Sequence, residues 1–218
     1  MRQVGVAVVG TGWCGGIRAE TCAASALAGS LHLADLFTIV NGFCGVAALF
    51  QVMTFIATQE RRHLYVAALL VPLAGFFDLM DGRVARWRHK ASPMGRELDS
   101  LADVISFGVA PAGIAFATGL DSWLDQVILM YFVGCGLSRL ARYNVTAEAL
   151  ASETGKIRYF EGTPIPTSII PLALLMWGFY RATLFPVRWL GVDFHLVALL
   201  FLLSGSLMIS KTLRIPKP

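Results

Sequence analysis

The chain is 218 residues long, 56% hydrophobic and 15% charged, with a mean hydropathy of +0.65. A water-soluble domain carries about 25% charge, so this composition excludes one solvated core and points to a bilayer as the solvent. The net charge of +4 sits between apolar runs, not as a basic stripe interleaved with aromatics, which argues against nucleic acid and for loops facing anionic headgroups.

Residues 1–29 differ from the rest. The apolar run Val4–Val9 reads as a short strand, Gly10-Thr11-Gly12-Trp13-Cys14-Gly15 follows, and Ile17 to Leu27 reads as a helix. This is GxGxxG in its local dinucleotide-binding context. It resembles the opening strand-loop-helix of the glucose-fructose oxidoreductase family. The chain then enters apolar spans, however, so no second strand completes the unit, and the acid expected roughly 20 residues on is Asp35, at the mouth of a span. The segment is expected to be an atypical, non-functional N-terminal piece. Its apolar stretch is interrupted by glycines from Gly5 to Gly16, which makes it a poor secretory signal.

Six apolar segments follow, at about Leu36–Ala57, Leu64–Met80, Leu101–Thr118, Leu124–Ser138, Ile165–Phe179 and Phe194–Ile209. Several fall short of the ~20 residues that cross 30 Å, and their polar ends are expected to extend them. The fold class expected is all-α, with six transmembrane helices in a membrane domain over 30–218. Placing both termini in the cytosol puts all but four of the 18 basic residues (Arg61, Arg62, Arg181 and Arg188) on the cytosolic side, as the positive-inside rule favours. The four cysteines form no CxxC pair and read as small buried hydrophobes. The four histidines share no spacing and read as surface or interface residues.

The chemistry is expected between Asp78 and Asp103. The stretch reads Asp78-x2-Asp81-Gly82-x2-Ala85-Arg86-x8-Gly95-x3-Asp99-x3-Asp103. Asp78 and Asp81 share one helix face, and so do Asp99 and Asp103. Lys90-Ala91-Ser92-Pro93 breaks the helix between them, so a hairpin can aim four carboxylates at one spot. Such carboxylates repel one another and cost several kcal/mol near a bilayer. Hard divalent cations offset that cost, and Mg²⁺ or Mn²⁺ prefers carboxylate oxygen. Gly82 and Gly95 leave room for a nucleotide against the backbone, and Arg86 can grip phosphate through two N–H groups.

The stretch resembles, at every defined position, the signature of the CDP-alcohol phosphotransferase family. Arg83–Trp87, Glu97–Pro111, Ser138–Asn144 and Tyr159–Pro166 are similar, within it, to the serine-accepting branch, and Leu31–Asn41 and the ending Met208–Pro218 to its fungal members in particular. The resemblance covers about residues 30–218. It implies a six-helix membrane enzyme, usually a homodimer, that moves a phosphatidyl group from CDP-diacylglycerol to a small alcohol such as L-serine. The implied location is the endoplasmic reticulum membrane (the cytoplasmic membrane in a bacterium), with the site facing the cytosol. By resemblance Asp78, Asp81, Asp99 and Asp103 are metal ligands, and Asp103 is also the general base. Gly82, Ala85, Arg86 and Gly95 line the CDP moiety together with Asp78, and Thr38 and Asn41 on the first span border the same pocket.

For the acceptor, Arg139 and Arg142 lie three apart at a span end, and a serine carboxylate needs a cationic partner; anchoring of the topology is the alternative role. Tyr143 and Asn144 offer further contacts, and Phe160–Pro166 offers a loop over the acceptor. Sister acceptors in the same fold are inositol, inositol phosphate and glycerol phosphate. Residues 1–29 should be dispensable: calorimetry with NAD should show no binding, and a chain beginning at Ser30 should keep its turnover. Micromolar NAD affinity would contradict this.

Overall fold

The structure is a computed structural model that describes residues 33–88, 93–152, 159–182, 186–189, 192–210 and 214–216. The N-terminal segment 1–29, Cys14, Cys22, His32, His89 and the Lys90–Ser92 part of the helix break lie outside them.

Helices α1 (Leu33–Thr58) and α2 (Arg61–Arg88) are 26 and 28 residues long. At 1.5 Å per residue each exceeds the 30 Å of a hydrocarbon core. They pack as an antiparallel pair about a tight turn in which Gln59 takes a left-handed φ of 59°. The next span is composite: α3 (Pro93–Asp103), a π-helical turn (Val104–Val109) and α4 (Ala110–Ala117). Pro111 explains the π turn. Proline has no N–H to give the carbonyl four residues back and its ring crowds that carbonyl. The helix widens instead, and the Ala110 N–H donates to Ile105 O, five residues back. Helix α5 (Trp123–Ser152) follows.

The remainder is shorter. Strand β1 (Tyr159–Glu161) leads through a 3-10 turn (Ile165–Ser168) into α6 (Ile169–Tyr180). Strands β2 (Pro186–Trp189) and β3 (Val192–His195) form an antiparallel pair, and after α7 (Ala198–Ile209) strand β4 (Arg214–Pro216) pairs antiparallel with β1, Tyr159 opposite Pro216. Among the described residues four helical stretches are long and apolar enough to cross a membrane: Asp35–Thr58, Arg61–Arg83, Gly95–Ala117 and Trp123–Val145. Ile165–Tyr180 and Ala198–Ile209 are apolar but shorter. The spans are helical, as expected. The two ladders are additional: β3 alternates Val192, Asp193, Phe194 and His195, a period-2 pattern that segment length alone passes over.

Phe107, Phe132, Phe201, Leu64, Ile114 and Val71 are fully buried, and Phe132 meets Phe201 edge-on at 5.3 Å, tying α5 to α7. Cys44 and Cys135 are buried free thiols. The outer faces are apolar too: Phe43 is 66% exposed, Leu69 70% and Leu79 64%. Side chains like these along three turns of helix belong against lipid, not water.

At the end of the bundle where α5 begins, Asp125 is fully buried. Its Oδ1 accepts the His195 backbone N–H at 3.1 Å, its Oδ2 lies 2.8 Å from His195 Nδ1, and the Ser122 hydroxyl donates to Oδ2 at 2.8 Å. The Asp125 N–H donates to Ser122 Oγ in return, at 3.2 Å, as an N-terminal cap. His195 is therefore a latch between β3 and α5, not the surface or interface residue expected. A carboxylate and a histidine 70 residues apart give no sequence signal of pairing. Asp125→Ala strands three donors and should destabilise the fold by about 2–3 kcal/mol. Thermal unfolding in detergent would show it as a lowered midpoint, and an unchanged midpoint would show that the latch contributes nothing.

Candidate active site

The expected helix break falls on residues outside the described ones; on its two sides stand α2, as far as Arg88, and α3 from Pro93, a good first helical residue. The two helices bring Asp78, Asp99 and Asp103 together, with one oxygen of each within 4.8 Å of the others. Asp81 lies within electrostatic reach of all three. Asp81 and Asp103 are buried, while Asp78 and Asp99 are half-buried.

Helix α1 supplies the support. Thr38 donates to Asp81 Oδ2 at 2.8 Å, and the fully buried Asn41 donates through Nδ2 to Asp103 Oδ1 at 3.1 Å. Thr38 and Asn41 are three apart, so both face the hairpin. Each hydrogen bond fixes one carboxylate oxygen and leaves the other for a ligand. The close approach of α1 depends on Gly45, where an added Cβ would fall 2.6 Å from Ser106 Oγ and 2.8 Å from Ser106 Cα. The Ser106 hydroxyl donates to Asn41 O at 2.8 Å. Ser106 lies in the π turn directly after Asp103, so that turn locks the carboxylate's segment onto α1. Sequence reasoning missed this residue, because the serine bonds a main-chain carbonyl 65 positions away.

The other expected residues fall as follows. An added Cβ on Gly82 would meet nothing within 4 Å among the described residues, so the backbone there borders space that they leave open. Gly95 is half-exposed in the first turn of α3. Ala85 and Arg86 are on α2, one turn beyond Asp81 and Gly82, and their side chains lie outside the described residues. Arg139 is buried on α5 within electrostatic reach of Asp103 and Tyr143, and its Nε has no hydrogen-bond partner among the described residues. Arg142 instead donates through a terminal nitrogen to Ile209 O at 3.3 Å, tying α5 to the end of α7. Tyr143 is half-buried one residue further on. Asn144 donates to Ser100 Oγ at 3.0 Å and Glu97 Oε1 at 3.2 Å, clamping α5 to α3. Glu97, Ser100 and Asp103 follow at three-residue spacing on one face, a signal that marks Ser100 in retrospect.

The donor set decides what this centre can hold. Carboxylate oxygens are hard ligands, several of them half-buried or buried among apolar helices, and the described residues place no amine or guanidinium in hydrogen-bond contact with them. Asp99 Oδ1 and Asn41 Oδ1 are buried with no partner among the described residues. Buried acceptors of this kind call for an external cation. The residues fit a divalent metal of the magnesium or manganese class, at a place open enough beside Gly82 for a phosphorylated substrate.

Comparison with known proteins agrees with this chemistry. A model of the CDP-alcohol phosphatidyltransferase family matches residues 31–204. The chain is 44% identical over 198 residues to the CDP-diacylglycerol–serine O-phosphatidyltransferase of Saccharomyces cerevisiae, covering 87% of this chain and 72% of the relative. It is 30% identical over 169 residues to the enzyme of the same name from Bacillus subtilis, covering 77% and 87%. It is 34% identical over 154 residues to the archaetidylserine synthase of Methanothermobacter thermautotrophicus, covering 69% and 60%.

Proposed function

The chain belongs to the CDP-alcohol phosphatidyltransferase family, and we propose that it transfers the phosphatidyl group of CDP-diacylglycerol to the hydroxyl of L-serine, giving phosphatidylserine and CMP. The observation that carries this is the convergence of Asp78, Asp99 and Asp103 within 4.8 Å between two apolar helices. A carboxylate centre at a membrane span suits a reaction joining a lipid diphosphate to a water-soluble alcohol. The names of the relatives, two of them serine O-phosphatidyltransferases, support serine as the alcohol.

The residues take these roles. Asp78, Asp81, Asp99 and Asp103 hold magnesium or manganese, which when bound neutralises the diphosphate and the departing CMP. Thr38 and Asn41 orient Asp81 and Asp103, and with Gly82, Ala85, Arg86 and Gly95 they border the CDP moiety. Asp103 accepts the serine hydroxyl proton. The serine oxygen then bonds to the phosphorus that carries the diacylglycerol, and the bond from that phosphorus to the CMP oxygen breaks. Arg139 meets the acceptor carboxylate, Arg142 and Tyr143 complete the acceptor side, and the Ile209 contact holds Arg142 in place.

Ile165–Tyr180 and Ala198–Ile209 complete six spans, with both termini and the carboxylates on the cytosolic side, where most of the basic residues then lie. The chain works as a homodimer in the endoplasmic reticulum membrane, or in the cytoplasmic membrane of a bacterium. Phosphorylated acceptors fit less well: among the described residues Arg139 is the one buried cation, and a phosphate dianion calls for more.

Chelation should abolish CMP release, and Asp78→Asn or Asp99→Asn should lower kcat by at least about a hundredfold while the protein remains folded. With the metal restored, L-serine should support CMP release where inositol and glycerol phosphate do not. Full activity in chelator would sink the metal chemistry, and preference for another alcohol would sink the serine assignment.

A further inference from the structure

Buried polar atoms are almost always hydrogen-bonded, since losing water without replacement is costly. Among the described residues, five buried side-chain atoms break this rule: Asn41 Oδ1, Asp99 Oδ1, Arg139 Nε, Thr163 Oγ1 and Ser168 Oγ. The first two belong to the carboxylate centre. The other three lie on α5 and on the strap between β1 and α6.

The strap is held tightly. At Gly162 φ is +74° and an added Cβ would lie 2.3 Å from Met208 O, so only glycine passes there. The Thr163 N–H donates to Leu207 O at 3.3 Å. Pro164 and Pro166 then stiffen the backbone. Ile165 presses on α5, its Cδ1 3.0 Å from where a Cβ on Gly136 would be. Ile169 does the same to α2 at Gly75, 3.4 Å away, and Phe107 of the π turn flanks that glycine at 3.6 Å.

These contacts fix the depth of the strap. Gly75, Phe107 and Gly136 are each three or four residues from Asp78, Asp103 and Arg139, or about 5.4 Å along a helix. Ile165 of the strap makes the contact at Gly136, and Ile169, the first residue of α6, makes the one at Gly75 beside Phe107, all on the side away from the α2–α3 break. The 3-10 turn thus runs one helical turn beneath the layer that holds the two aspartates and the arginine. Ser168, fully buried between Ile165 and Ile169, belongs to that floor.

We propose that the strap Thr163–Ser168 is the specificity-determining wall of the acceptor subsite, the Thr163 and Ser168 hydroxyls and the Arg139 guanidinium binding the carboxylate and ammonium of an amino-acid acceptor, while the Thr167 hydroxyl is engaged by Pro164 O at 2.7 Å. This rests on the serine reading given above. The chemistry matches: a guanidinium donates only, whereas a hydroxyl donates to a carboxylate or accepts from an ammonium. A zwitterion uses both kinds of partner, and an uncharged polyol such as inositol needs no cation. The groups are already buried and stiffly held before the acceptor arrives, so little ordering remains to be done on binding.

The test uses the purified full-length protein with Mn²⁺ and CDP-diacylglycerol, and compares wild type with Ser168→Ala, Thr163→Val and Thr163→Ser. Ser168→Ala and Thr163→Val should each raise the serine KM at least fivefold, with the donor KM changed less than twofold. Thr163→Ser, which keeps the hydroxyl, should stay near wild type. Ser168→Ala should leave Tm unchanged or raise it, because no hydrogen bond is lost in the acceptor-free protein. An unchanged serine KM in both hydroxyl-deleted variants, or a lower Tm with donor and acceptor KM rising together, would overturn the proposal and make the strap purely structural. A wild-type protein that releases CMP with another alcohol and not with serine overturns the serine reading, and the amino-acid assignment of this subsite with it. Failure of the strap alone shows against an active, serine-using wild type.

Discussion

Four carboxylates placed where apolar helices meet is an arrangement that the bundle alone does not stabilise. Two ionised groups a few ångström apart repel strongly once water is scarce, and here Asp78, Asp99 and Asp103 stand within 4.8 Å with Asp81 beside them. Apolar packing around the site makes the repulsion worse. A divalent cation reverses its sign, and the same cation then attracts a diphosphate. The instability of the empty site and the affinity of the filled one are two sides of one charge arrangement.

The rest of the architecture serves that arrangement. The break after Arg88 folds two acidic helix faces onto each other, and α1 closes against them because Gly45 lets Ser106 approach. Thr38 and Asn41 then hold one oxygen each of Asp81 and Asp103, so the carboxylates need little rearrangement when a ligand binds. Pro111 forces the π turn that carries Ser106, and so a backbone defect eight residues beyond Asp103 helps to seat it. Arg142 and the Thr163 N–H both fasten to the last carbonyls of α7, tying the strap and the helix that carries Arg139 to one helix end, with Arg139 within electrostatic reach of Asp103. At the far end the Asp125–His195 latch closes the bundle without touching the chemistry.

Much of this was legible in the sequence, for a physical reason. Helical periodicity turns the spacings of Asp78/Asp81 and Asp99/Asp103 into shared faces, and Pro93 announces the break between them, so the carboxylate centre follows from local rules. Long apolar runs give α1, α2 and α5 in the same way. What was hidden depends on contacts between distant residues: Ser106 on the Asn41 carbonyl, Arg142 on the Ile209 carbonyl, His195 on Asp125. None of these has a spacing to read. Arg139 and Arg142 looked equivalent at three residues apart, and only the packing of α7 gives them different partners. The apolar segment Ile165–Phe179 reads as one helix by composition, yet its first turn is the 3-10 turn Ile165–Ser168, which follows Gly162 and contains Pro166.

The most direct test of the central claim is Mn²⁺ uptake by the purified full-length protein, followed by electron paramagnetic resonance, with wild type and Asp99→Asn side by side in the presence of CDP-diacylglycerol. The account predicts that wild type quenches the signal of free Mn²⁺ and that the variant binds at least about tenfold more weakly. Equal uptake by the two proteins, or none by wild type, would contradict it.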